Sequence, residues 1–158
     1  MNRTTDTHLP SDSRGDDRPG WCREHSVHVM EIDELHYRIV CQLEDLHGDT
    51  SMWRDRDGLT ARFEQLLAGI EASFDAEAMY FEKFGYEQGR EHTAEHGALM
   101  NQLRRLGQAL DESLPLRTRA DFEAMRRALV DHITEGPDRE FGEFIRKNGR
   151  ARFLRASC

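Results

Sequence analysis

The sequence predicts an all-α fold, an up-down-up-down four-helix bundle, and three observations lead to this prediction. Apolar residues recur at steps of three and four in four separate stretches of the 158-residue chain. Short breaks separate these stretches, and no segment shows the sustained two-residue alternation of a half-buried strand. A chain of this length accommodates one ordinary domain, and helices joined by short connections pack with alternating direction.

The first two apolar stripes predict a helix that ends at Gly48 and a longer helix that ends at Gly85. Glycine is the residue most often found just beyond a helix C-terminus, so both ends are well marked. The first stripe is Ile32, Leu35, His36, Ile39, Leu43, Leu46, and the second is Leu59, Phe63, Leu66, Leu67, Ile70, Phe74, Glu77, Phe81, Phe84.

The last two stripes predict a third helix that stops before Pro115 and a fourth that is interrupted at Gly136 and Pro137. A proline inside a helix removes one hydrogen bond and collides with the preceding turn, so the fourth helix should break there. The third stripe is His92, His96, Leu99, Leu103, Leu106, Leu110, and the fourth is Phe122, Met125, Leu129, His132, Ile133, Phe141, Phe144, Ile145.

Composition divides the chain into three regions. Residues 1–20 contain one Leu and one Met among mainly polar residues, Gly and Pro, which predicts a disordered N-terminal tail. Residues 21–150 carry the four stripes and form the predicted bundle, and residues 151–158 form a basic C-terminal end.

The charge balance and the apolar runs exclude several classes of partner. A net charge of −8 opposes the phosphate attraction that nucleic-acid binding requires, and no apolar run is long enough to span a membrane. The odd number of cysteines, three, at spacings unlike those of metal sites, and the absence of a secretory signal predict a reducing, cytoplasmic location.

Ionisable side chains interrupt all four apolar stripes. Such groups are costly to bury unless they are paired, neutral or bound to a metal. Because the helices are predicted to alternate in direction, these positions converge at one end of the bundle, where three imidazoles and a carboxylate would suit iron, zinc or manganese. The converging residues are His36, Glu77, His92, His96 and His132, and two of them, His92 and His96, lie one helical turn apart on one face.

Three motifs carry a resemblance to a known family: IDELH (Ile32 to His36), FDAEAMYFEKFGYEQGREHTAEH (Phe74 to His96) and LVDHI (Leu129 to Ile133). Over about residues 21–148 the chain resembles the bacteriohemerythrins, four-helix bundles whose di-iron site binds O2. The resemblance implies that His92, His96 and His132 hold one iron, that His36 binds the second, and that Glu77 bridges them.

The chain departs from the family pattern at two positions. Ser73 stands where family members have a further histidine, and Pro137 stands where they have a bridging aspartate. Two nearby carboxylates are candidates for the missing bridge. Asp138 requires the chain to be re-aimed at the break, whereas Glu135 lies on the same helical face as His132. A one-residue insertion implied by the resemblance favours Asp138.

The resemblance therefore leads us to expect a hemerythrin-like non-haem iron protein that binds O2, or NO or peroxide, as carrier, store or sensor. Two irons are expected, or one if the second position is lost, with zinc as a substitute metal. An enzyme that activates O2 or peroxide at an open metal position is the main alternative, and a metal-poor structural or interaction module is the third. The redox or signalling partner is left open by the sequence.

Overall fold

The computed structural model describes residues 23–111 and 115–155, and this part of the chain is all-α. Within it, two short 3-10 turns, Arg23–His25 and Met52–Arg54, accompany five helices and no strand. The predicted disordered tail, 1–20, lies outside the described residues, as do the last three residues of the basic C-terminal end. The helices are α1 (Met30–Gly48), α2 (Arg56–Phe84), α3 (Gly89–Asp111), α4 (Pro115–Thr134) and α5 (Pro137–Arg155).

The ends of the helices follow the local sequence. The side chain of Asp55 accepts a hydrogen bond from the backbone N–H of Gly58 and caps the start of α2. Gly85 ends the same helix in the left-handed conformation, with φ of 63°, which other residues adopt only under strain. The predicted break at Gly136 and Pro137 is confirmed, since the fourth stripe forms two helices, α4 and α5.

Consecutive helices pack against each other along the whole described chain, and α1 also contacts α4. Their inward faces form a larger apolar cluster and a smaller one. The larger cluster draws on α1 to α4 and includes Leu43, Leu66, Leu103 and Leu129, all 1% exposed or less. The smaller cluster contains Val27, Val29, Ile32, Ala76, Phe81, Tyr86, Phe141 and Ile145.

The segment before α1 is fixed against α5. Asp33 accepts hydrogen bonds from the hydroxyl of Ser26 and from the backbone N–H of Val27, at 2.6 and 2.8 Å. Val27 is fully buried, and a Cβ at Gly142 would lie only 2.8 Å from the Cα of Val27. This close approach requires glycine at position 142 and places Val27 in the smaller cluster.

Of the helices in the described ranges, none combines the length and the apolar composition that crossing a bilayer demands.

Candidate metal centre

A layer of buried polar side chains separates the two apolar clusters. Along α1 it lies between Ile32 of the smaller cluster and Ile39 of the larger one, and along α2 between Phe74 and Phe81. Every member is 6% exposed or less. This polar layer consists of His36 from α1, Glu77 from α2, His92 and His96 from α3, His132 from α4 and Asp138 from α5.

The polar layer divides into two groups of potential metal ligands that share one residue. Donor atoms of His92, His96, His132 and Asp138 all lie within 4.8 Å of one another. The same limit holds for His36, Glu77 and Asp138. We call the first the three-histidine group and the second the His36 group. Either can hold a metal ion, and because Asp138 belongs to both, two ions would be neighbours.

The two oxygens of Asp138 face different groups. Its Oδ1 lies 2.8 Å from Nε2 of His92 and 3.2 Å from Nε2 of His132. Its Oδ2 lies 3.3 Å from Nε2 of His36. A carboxylate in this orientation can bind one ion through each oxygen.

Glu77 is oriented in the same way, from α2. Its Oε1 lies 3.2 Å from Nε2 of His36, whereas its Oε2 lies 3.6 Å from Nε2 of His92 and 3.5 Å from Nε2 of His96. Both acidic residues therefore extend across the polar layer, and they link the His36 group to the three-histidine group twice.

Hydrogen bonding among these residues is incomplete. Oε2 of Glu77 and both oxygens of Asp138 are buried, and although imidazole nitrogens lie 2.8–3.6 Å from them, none makes a hydrogen bond of good geometry among the described residues. Buried polar atoms in folded proteins are nearly always partnered, so each such atom needs an explanation. Bound cations supply one: an ion in the three-histidine group would satisfy Oε2 of Glu77 and Oδ1 of Asp138, and an ion in the His36 group would satisfy Oδ2 of Asp138.

The three imidazoles point their Nε2 atoms at a common centre. Nε2 of His132 lies 3.1 Å from Nε2 of His92 and 3.0 Å from Nε2 of His96. Bonds of about 2.1 Å at right angles keep neighbouring ligand atoms about 3 Å apart, which matches these separations. The three-histidine group thus has the spacing of ligands around one ion of high coordination number.

The pKa values of the two carboxyl groups are shifted in opposite directions. Burial, and then the charge of Asp138, raise the pKa of Glu77 to about 7, although neighbouring imidazoles act against this. Burial also acts to raise the pKa of Asp138, but close contact with His132 and His92 outweighs it and holds that pKa well below its usual range. Asp138 is also in the first turn of α5, where the helix dipole favours a negative charge.

The protonation of His96 also suits a ligand. Burial, together with the neighbouring imidazoles of His92 and His132, lowers the pKa of His96 to about 2. The ring is therefore neutral across the physiological pH range. Metal ions require neutral imidazole and ionised carboxylate, so His96 and Asp138 need lose no proton before binding.

Aromatic rings hold two of the imidazoles in place. The ring of Phe74 stacks on His96 with centroids 3.7 Å apart and planes 4° from parallel, and Phe81 lies 4.7 Å from His92. Ligating histidines usually donate their second ring N–H to a hydrogen-bond acceptor. Nδ1 of His92 and Nδ1 of His96 have no such acceptor among the described residues, so packing against these aromatic rings takes over the orienting role.

Ser73 lies beside the His36 group. It is fully buried, and its hydroxyl donates to Oε1 of Glu77 at 3.2 Å. The His36 group therefore has only one imidazole, and a hydroxyl lies next to one of its two carboxylates.

The sequence-predicted candidates have different locations in the structure. His36, Glu77, His92, His96 and Asp138 come together in the polar layer, as does His132. Glu135 does not: it is 66% exposed and pairs with Arg139 on the surface. The break explains the difference, because α5 starts afresh at Pro137 and Asp138 then points inward.

Sequence reasoning missed the roles of Phe74 and Phe81, which it treated only as apolar core. A usable signal was their position in the stripe, three residues before and four residues after Glu77. An aromatic ring one turn from a buried ligand candidate lies on the same helical face and can stack on ligands from the neighbouring helix.

Comparison of this chain with protein-family models, with curated proteins and with solved structures gives no significant match.

Proposed function

We propose that this chain is a hemerythrin-like non-haem iron protein that binds O2, or NO or peroxide, at two neighbouring irons. One observation carries the proposal: Glu77 and Asp138 each direct one oxygen to the His36 group and the other to the three-histidine group. Two carboxylates shared in this way suit a pair of ions, and neither a single ion nor a hydrogen-bonded core explains both.

An up-down-up-down four-helix bundle is the proposed arrangement, with α4 and α5 together forming the fourth helix. Contacts between consecutive helices and between α1 and α4 support it. In such a bundle the first part of α1, the later part of α2, the first part of α3 and the end of α4 lie at one level along the bundle. His36, Glu77, His92 and His132 occupy these positions.

Iron is the proposed metal, and zinc is the expected substitute. The donors are imidazole nitrogens and carboxylate oxygens, a set that suits iron, zinc and manganese, with no thiolate among them. Ferrous iron, when bound, supplies the electrons that binding O2 requires. The chain's own contribution is to hold His96 neutral, to place the carboxylates between the two positions and to exclude water with Phe74, Phe81 and Phe141.

Elemental analysis combined with optical spectra under air and under argon tests this proposal. Protein loaded with ferrous iron under argon is expected to hold about two irons per chain and to develop a visible absorption band under air that disappears when O2 is removed. Protein made with iron supplied that holds no metal would contradict the proposal and would favour a metal-poor structural or interaction module.

The second candidate function is an iron enzyme that activates O2 or peroxide. The observation that favours it is the small ligand set of the His36 group, one imidazole and two carboxylates, beside Ser73. Fewer protein ligands leave more positions for substrate. Rapid, irreversible iron oxidation with turnover of a co-substrate would support the enzyme. Ser73→His is expected to raise iron occupancy and to stabilise a reversible adduct instead.

A further inference from the structure

Ser73 donates its hydrogen bond in an unusual direction for a hydroxyl within a helix. Serine and threonine in helices commonly bond back to the carbonyl four residues earlier. Thr93 and Thr134 do so, donating to the carbonyls of Gly89 and Val130 at 2.7 and 2.8 Å. Ser73 instead donates forward to Oε1 of Glu77 at 3.2 Å. The donor is thus directed at the carboxylate and not at its own backbone.

The accepting oxygen is the one that faces the His36 group. Oε1 of Glu77 also lies 3.2 Å from Nε2 of His36, so it has two polar neighbours on this side. Oε2, on the other side, has no hydrogen bond among the described residues. Because Ser73 is completely buried, no water competes for its hydroxyl. The carboxylate is therefore held from one end only.

We propose that Ser73 is a positioning residue, whose buried hydroxyl donates to Oε1 of Glu77 and so holds this carboxylate across both metal positions. The inference rests on the proposed two-metal function. On this account the affinity of the His36 group for its metal depends on Ser73, because Ser73 positions Glu77. The three-histidine group has four donors besides Glu77 and therefore depends on Glu77 less. Hydrogen-bond partners of metal ligands commonly alter affinity by about 10- to 100-fold.

Titration of the metal-free chain with ferrous iron under argon, and with cobalt(II) as a spectroscopic substitute, tests this proposal. In Ser73→Ala the second equivalent is expected to bind about 10- to 100-fold more weakly than in the wild type, and the first equivalent unchanged. Ser73→Thr, which keeps a hydroxyl, is expected to restore the second equivalent. Thr93→Ala, which removes a hydroxyl bonded to backbone, is the matched control and should bind both equivalents as the wild type does.

A melting curve of each metal-free variant distinguishes positioning from simple packing. A packing role predicts a lower melting temperature with unchanged metal affinity, which would overturn the proposal. If Ser73→Ala and the wild type bind the second equivalent of metal with equal affinity, the role of Ser73 is also overturned, but the proposed two-metal function is not. A wild-type chain that binds one equivalent or none would overturn both. If the larger Thr side chain does not fit at position 73, the comparison of Ser73→Ala with Thr93→Ala still decides.

Discussion

The larger apolar cluster and most of the polar layer are built by the same four helices, α1 to α4, and both are buried, yet their chemistry is opposite. In the larger cluster, α1 to α4 contribute Leu43, Leu66, Leu103 and Leu129, all 1% exposed or less. A few turns away the same helices contribute imidazoles and a carboxylate, which are buried equally well.

This contrast separates stability from function within one set of helices. Burying a leucine contributes about 1.5–3 kcal/mol to folding, since it removes apolar surface from water. Burying a carboxylate oxygen without a hydrogen bond costs free energy instead. Glu77 and Asp138 carry three such oxygens, so the polar layer destabilises the metal-free fold, and the leucines offset that cost. We expect substitutions in the two regions to change different measured properties.

The largest effect is expected for Asp138→Ala. Asp138 is the only residue common to both ligand groups, so its loss removes a ligand from each. The variant is expected to lose most of its iron while remaining helical. Glu135→Ala is the matched control because Glu135 is exposed and outside the polar layer, and it should hold as much iron as the wild type. Iron content by elemental analysis checks both, and equal iron loss in the two variants would reject the choice of Asp138.

Leu103→Ala tests the contrast from the larger cluster, and His96→Ala tests it from the polar layer. Truncating a fully buried leucine costs about 3 kcal/mol in the free energy of unfolding, and Leu103 belongs to the larger cluster and not to the polar layer. Leu103→Ala should therefore lower stability in urea with iron content unchanged. His96→Ala should lose iron binding, with a much smaller change in the unfolding free energy of the metal-free chain. The reverse pattern would show that the two regions are not independent.

A smaller effect is expected where an apolar ring touches the polar layer. Phe74 belongs to the larger cluster but stacks on His96, so Phe74→Leu removes the stacking and keeps an apolar side chain. We expect metal affinity to fall about tenfold, in line with the loss of other groups that orient ligands. Phe63→Leu is the control, since Phe63 is also buried in this cluster, 2% exposed against 9% for Phe74, and stacks on no histidine among the described ring contacts. Metal titration should distinguish the two variants, and equal metal affinities would show that Phe74 does not orient His96 for metal binding.

The smallest effect concerns a partly exposed ion pair beside the larger cluster. Burial acts to raise the pKa of Glu123, but hydrogen bonds from His47 and Arg126 outweigh it and lower that pKa. The stability that ionised Glu123 contributes is therefore fully present at pH values above its pKa in the unfolded chain. It is lost as the pH falls through the lower pKa that Glu123 has in the folded chain. Glu123→Gln should cost under about 1 kcal/mol at pH 7 and nothing at low pH.

Urea unfolding of the metal-free chain at both pH values measures this difference. Glu71→Gln, at the more exposed pair with Arg104, is the control and should change stability still less. A cost of Glu123→Gln that grew as the pH fell would contradict the sign of the pKa shift.

Much of this organisation could be predicted from the sequence, because it follows from periodicity. The apolar stripes predicted the helices, their ends at Gly48 and Gly85, and the break at Pro137. The predicted convergence of Glu77 with the four histidines followed from two things alone: each of these residues lies in an apolar stripe, and the helices were predicted to alternate in direction.

Helix geometry alone did not decide between Asp138 and Glu135; only the one-residue insertion implied by the resemblance favoured Asp138, and the reason is physical. On one uninterrupted helix Asp138 would lie about 240° from His132, pointing away from it. Only the geometry of the break re-aims the chain, and the torsion angles of two or three residues determine that geometry. The stacking of Phe74 on His96 was equally out of reach, since an aromatic residue in an apolar stripe predicts burial but not the ring that it contacts.

X-ray absorption at the iron edge of the ferrous, iron-loaded chain tests most directly whether two carboxylates link two ions. We expect nitrogen and oxygen neighbours at about 2.1 Å, the scattering pattern of imidazole rings, and a second iron at about 3.5–4 Å. A spectrum with no imidazole contribution and no neighbouring iron would contradict the account at its centre.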